Sequence, residues 1–85
     1  MDAINEHAHY IAERLKQSLE RHNRVPVKFL EQDIREDEEH WWVVPVWPAI
    51  SIAERYPYYE TLADVEMELE EEGIHITLVP TEPPS

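Results

Sequence analysis

Apolar residues recur early in the chain at Ile4, Ala8, Ile11, Leu15 and Leu19. Spacings of four, three, four and four place them on one face of a helix, and the pattern predicts α-helix over residues 3 to 22. Asp2 suits the N-cap. Arg21, His22 and Arg24 put cations where the helix dipole favours them, and Asn23, before Val25-Pro26, suits a left-handed stop. From Val25 to Gln32 the period becomes two, with Val25, Val27 and Phe29 against Pro26, Lys28 and Leu30, which predicts a half-buried strand with Pro26 at its start or on an edge. Asp33 to Glu39 then sets six charges around Ile34, a pattern that predicts a wide solvated hairpin turn.

The longest apolar run follows and holds all three tryptophans. Read as a strand from Trp41 to Trp47, it sends Trp42, Val44 and Val46 to one side and Trp41, Val43, Pro45 and Trp47 to the other. Both sides are apolar. Pro45 has no amide hydrogen, which implies an edge position, a bulge or a bend. Ser51-Ile52-Ala53-Glu54 has the capping-box pattern and predicts a short helical turn to about Tyr56. Pro57 suits the opening of a second helix, whose buried stripe is Tyr58, Leu62, Val65 and Leu69. Gly73, the single glycine, suits a left-handed helix stop, and Ile74, Ile76 and Leu78 alternate as a last strand ending at Val79. Pro80 to Ser85 reads as a disordered proline-rich tail outside the sheet.

The expected fold class is α+β, a two-layer α/β sandwich of order α-β-β-α-β. A hairpin and one right-handed crossover strand give a three-stranded sheet with both helices on one face. Residues 1 to 79 form one domain and 80 to 85 the tail. In order of elements the chain resembles a ferredoxin-like fold without its first strand. One sheet face is then uncovered, carrying Trp41, Val43 and Trp47 if the opposite side meets the helices. Two fully exposed tryptophans would forgo on the order of 8 to 12 kcal/mol of burial, so a cover is expected, either a second copy or the segments around residues 49 to 56 and 80 to 85.

Charge narrows the partners. Nineteen acidic against seven basic residues give a net charge of −12, which repels phosphate backbones and excludes nucleic acid and anionic membranes as expected partners. The first 28 residues sum to +1 and the remainder to −13. Glu70, Glu71 and Glu72 close the second helix against its dipole, which calls for a basic partner or another compensation. No cysteine is present, so disulfides, thiolate metal sites and thiol nucleophiles are excluded. The opening residues hold no apolar run of signal-peptide or spanning length, and a cytoplasmic location is expected.

Candidate chemistry is sparse. His7 and His9 are two apart and turn away from each other on a helix, while His9 with Glu13 provides two ligands at most. The run Asp33, Glu36, Asp37, Glu38 and Glu39 matches no calcium loop and has no central glycine. Ser18, Ser51 and Ser85 have no nucleophile-elbow glycines. His40 and His75 would approach each other only if their strands are neighbours. No catalytic residue, metal ligand or cofactor is expected.

The pattern points to a non-enzymatic interaction domain, homodimeric through a candidate interface of Trp41, Val43, Trp47, Tyr56 and Tyr59. A second reading makes the carboxylates Glu36, Asp37, Glu38, Glu39, Asp64, Glu68, Glu71 and Glu72 a surface for a basic protein, as an inhibitor or nucleic-acid mimic. The closing helix, Gly73 and strand resemble the end of barstar-type inhibitors, although this chain lacks their opening strand. A third reading is a small metal- or ligand-binding protein with a site near His40 or His75.

Overall fold

The strand from Trp42 to Pro48 (β3) is the centre of a four-stranded open sheet, seen in a computed structural model that describes residues 3–83 and, within the first helix, side chains from residue 7. One edge is formed by β1 (Val27–Phe29) and β2 (Arg35–Glu36), both antiparallel to β3. The other is β4 (Ile76–Pro80), parallel to β3 and joined to it through helix α2 (Tyr56–Glu71). Helix α1 (Ala3–Arg21) opens the chain. Val44 and Val46 of β3 are completely buried, in one core with Ile11, Ala12 and Leu15 of α1, Tyr58, Leu62, Val65 and Leu69 of α2, and Ile76 and Leu78 of β4. The protein is thus a small α+β fold with two helices on the Val44-Val46 face of the sheet.

The expected three strands are four, because the first is cut in two. Val27 pairs with Pro48 and Phe29 with Val46, whereas Arg35 pairs with Val43 and Glu36 with Trp42. Between these pairs the edge strand carries three extra residues, taken up by a 3₁₀ turn at Glu31–Asp33. The cause is Pro45. Trp42 donates its amide to His75 on the β4 side, and strand alternation turns the nitrogen of residue 45 toward the β1–β2 edge. A partner strand there would find no donor, and the edge chain bulges away at that point.

This break corrects the expected wide turn from Asp33 to Glu39. Ile34 is buried in the core at 8% exposure, and Arg35 and Glu36 are strand residues. The turn itself is tight. Asp37 donates its amide to the Trp41 carbonyl at 2.8 Å, the His40 amide donates to the Asp37 carbonyl at 3.1 Å, and the Asp37 carboxylate accepts from Glu39 and Trp41 at 2.9 Å each. His40 takes φ 66°, the left-handed position of a three-residue hairpin loop that glycine usually fills.

Other boundaries also moved. Asn23 is not left-handed, since His40 is the only non-glycine with positive φ among the described residues, and the assignment of Asp2 lies outside them. Residues 49–55 form no helical turn, and α2 begins after Arg55, with no side-chain cap. A turn there could not continue through Pro57, which lacks the needed amide and clashes one turn back, and a lone turn does not sustain itself. Gly73 acts as expected, with φ 86° and the Schellman pair of bonds from Ile74 to Leu69 and from Gly73 to Glu70. The tail starts later than expected: Pro80 belongs to β4, and Thr81 donates its amide to Val46 at 2.8 Å.

His40→Gly should stabilise the protein, because relief of about 1 to 2 kcal/mol of left-handed strain outweighs the added backbone entropy of about 0.5 to 1 kcal/mol. The expected rise in Tm is about 2 to 6 °C for a domain of this size. A fall would show that the imidazole, 3.5 Å from Glu36, contributes more than its backbone strain removes.

Candidate functional site: the open face of the sheet

Register pairs define the helix-free face. Lys28 stands beside Trp47, Arg35 beside Val43, Thr77 on the other flank of Val43, and Val79 beside Pro45. Trp41 and His75 extend the row, their rings 5.0 Å apart and tilted by 48°. The sequence-based candidates Trp41, Val43 and Trp47 therefore lie together, around Pro45. Trp42 packs against the core on the other side. Tyr56 and Tyr59 stand in α2, within the helix layer, and the structure does not bring them to this face; both are exposed, and Tyr59 stacks on the buried Tyr58 at 5.4 Å.

Neither open-face tryptophan is fully exposed, because both are half-buried among their neighbours. The apolar area at stake is correspondingly smaller than two bare indoles would present. At the Trp47 end, Lys28, Arg55, Ile50, Ile52, Thr81 and Glu82 surround an open cavity of about 500 Å³. The segments around residues 50 and 81 thus rim this end of the face.

Sheet edges are less available than the face. On β4 the alternation that turns His75 and Thr81 toward β3 turns Ile76, Leu78 and Pro80 outward. Glu66 of α2 accepts the Leu78 amide at 2.7 Å, and Pro80 has none to offer. The opposite edge is interrupted by the 3₁₀ turn and preceded by Pro26. Both devices obstruct the addition of another strand.

The cations divide by layer. Arg14 pairs with Glu72, Arg21 with Glu68 and Arg24 with Glu60, stitching α1 and its exit to α2, while Lys16 reaches Glu13. Of the three carboxylates that oppose the α2 dipole, Glu72 meets Arg14 within the same chain, while Glu70 and Glu71 make no ion pair among the described residues. Two carboxylates of the candidate acidic surface, Glu68 and Glu72, are engaged in this way. Asp64 and Glu71 remain exposed on α2, and Glu36, Asp37, Glu38 and Glu39 remain exposed at the β2–β3 turn. Lys28, Arg35 and Arg55, all on the open face or its rim, make no ion pair with a carboxylate among the described residues.

No catalytic assembly emerges at the other candidates. His75 packs on Trp41, His40 stands by Glu36, and His9 contacts Glu31 at 3.3 Å. Among the described residues no three His, Asp or Glu side chains are placed to hold a metal ion. Ser18 is completely buried, and its hydroxyl has no hydrogen-bond partner. No helix in the described residues is long and apolar enough to cross a membrane.

Alternation around Val27 and Phe29 could have placed Lys28 on this face. Arg35 could not have been found, because its segment reads as loop. No protein-family model matches the chain, and comparison with curated proteins and with solved structures found no match to either.

The ion-pair seam has a pH consequence. The Arg21 and His22 side chains bonded to Glu68 hold its carboxyl well below the usual range, at about 2. A depressed carboxyl stabilises the fold fully above its ordinary value near 4.5 and loses that contribution as pH falls toward 2. Wild-type stability should therefore fall more steeply than that of Glu68→Gln across this window in denaturant titrations. Parallel curves would contradict the assignment.

Proposed function

We propose that the protein is a non-catalytic interaction domain that pairs with a second copy of itself through the open face of its sheet. The observation carrying this reading is the continuous row of Trp41, Val43, Pro45 and Trp47, apolar on the side the helices leave free. The charge distribution supports it. Carboxylates crowd the helix layer and the β2–β3 turn, so face-to-face approach points the two acidic helix layers apart, separated by more than the Debye length of about 8 Å at physiological salt.

Area sets the strength. Three strands about 4.8 Å apart and about seven residues long at about 3.3 Å each present on the order of 300 Å² in projection. A stable complex buries about 800 Å² per partner, so even with the rim around Ile50 the pair belongs to the weak class. The expected dissociation constant is on the order of 10 to 100 μM, within the weak-complex range. Like net charges on the two copies make the dimer tighten as salt rises.

Sedimentation equilibrium over a concentration series tests this reading. Wild type should shift from monomer to dimer, more readily at high salt, and Trp47→Ala should weaken the association by about tenfold or more, as loss of a buried aromatic anchor does. A wild type that stays monomeric at several hundred micromolar, or a dimer indifferent to both Trp41→Ala and Trp47→Ala, would overturn it.

A further inference from the structure

We infer that the cavity at the Trp47 end of the sheet is a binding site for a small organic monocarboxylate with a flat apolar body. The site lies within one chain and does not depend on self-pairing. Its walls are anchored to the fold. Ala49, which opens the segment carrying Ile50 and Ile52, donates its amide to the Pro26 carbonyl at 2.8 Å. Thr81 donates its amide at 2.8 Å and its hydroxyl at 3.2 Å to the Val46 carbonyl, which ties down the chain that carries Glu82. Arg55 stands at the head of α2, where its carbonyl accepts the Tyr59 amide at 3.0 Å. Lys28 and Trp47, in register across β1 and β3, complete the lining. The volume of about 500 Å³ falls in the usual range of small-molecule sites, about 300 to 1,000 Å³.

Charge selects the ligand. The chain has 19 acidic residues for seven basic ones, and Arg14, Lys16, Arg21 and Arg24 are each ion-paired. Of the three remaining cations, Lys28 and Arg55 both line this cavity, and neither makes an ion pair among the described residues. Glu82 is the one carboxylate of the lining and pairs with neither of them. Two cations against one carboxylate give the cavity a positive balance in a chain of net charge −12. A single negative charge matches it. A phosphate or a dicarboxylate would set its second charge against Glu82 and against the field of an acidic protein.

The apolar residues select the body of the ligand. Trp47 and Ile52 are half-buried and Ile50 is 57% exposed, so a ring laid against them removes apolar surface from water on both partners. The carboxylate suits Arg55, whose planar guanidinium offers paired N–H donors to such a group. Charge and ring are both needed, because each meets a different part of the lining.

Naphthylacetate serves as the probe, with naphthylacetamide as the ring without the charge and acetate as the charge without the ring. Followed by NMR at a protein concentration where sedimentation finds monomer, naphthylacetate should shift the resonances of Lys28, Trp47, Ile52 and Arg55 saturably. The expected dissociation constant is on the order of 1 mM, as for a ligand of this size in an open site. Naphthylacetamide and acetate should each bind at least about threefold to fivefold more weakly, the scale of a partly exposed charge contact. Lys28→Gln and Arg55→Gln, which alter exposed side chains and leave the core intact, should each weaken naphthylacetate by a similar factor. Glu82→Gln should tighten it. Equal binding of naphthylacetate and naphthylacetamide would reduce the cavity to an apolar patch and overturn the inference. So would a naphthylacetate affinity unchanged in both cation variants, no saturation by about 10 mM, or shifts centred away from the Trp47 end.

Discussion

Everything in this fold is arranged around a central strand that is apolar on both sides and lacks one amide. Val44 and Val46 anchor the helices, and Trp41, Val43, Pro45 and Trp47 form the surface the helices leave alone. A proline is poorly suited to the middle of a sheet, and here its nitrogen faces the point where the edge strand breaks into β1, a 3₁₀ turn and β2. The break lets Ile34 drop into the core and turns Arg35 onto the open face. One missing hydrogen-bond donor thus shapes the core and the candidate interface together.

A second constraint is the distribution of charge. The helix layer pairs Arg14, Arg21 and Arg24 with carboxylates of α2, which absorbs part of a large acidic excess where the two helices meet. The sheet layer keeps Lys28, Arg35 and Arg55 without such partners among the described residues. Edge strands guarded by Glu66, Pro80 and the 3₁₀ turn leave the face as the available route to association through the sheet. Its small size and half-buried tryptophans favour a reversible contact over a permanent one.

The helices were legible because each buries a single stripe: Ile11 and Leu15 in α1, and Tyr58, Leu62, Val65 and Leu69 in α2, are where their spacing places them. The Gly73 stop was legible for the same local reason. The division of the first strand was not. Its cause lies in Pro45 on a neighbouring strand, and the charges around Ile34 concealed a core residue within what reads as loop. The left-handed position fell on His40, where four consecutive acidic residues gave no glycine or asparagine signal. Trp41, Val43 and Trp47 could be grouped by alternation, whereas Tyr56 and Tyr59 were grouped by residue type and belong to another layer.

The proposed self-pairing requires Trp41 and Trp47 to lose solvent when two copies meet, while Trp42 stays against the core. Acrylamide quenching of tryptophan fluorescence, measured on the same protein above and below the dimerisation range, tests this directly. Dilution should increase quenching, and Trp41→Phe combined with Trp47→Phe, leaving Trp42 as the reporter, should remove most of the increase. Equal quenching at both concentrations would mean that the open face remains in water, contrary to the central claim.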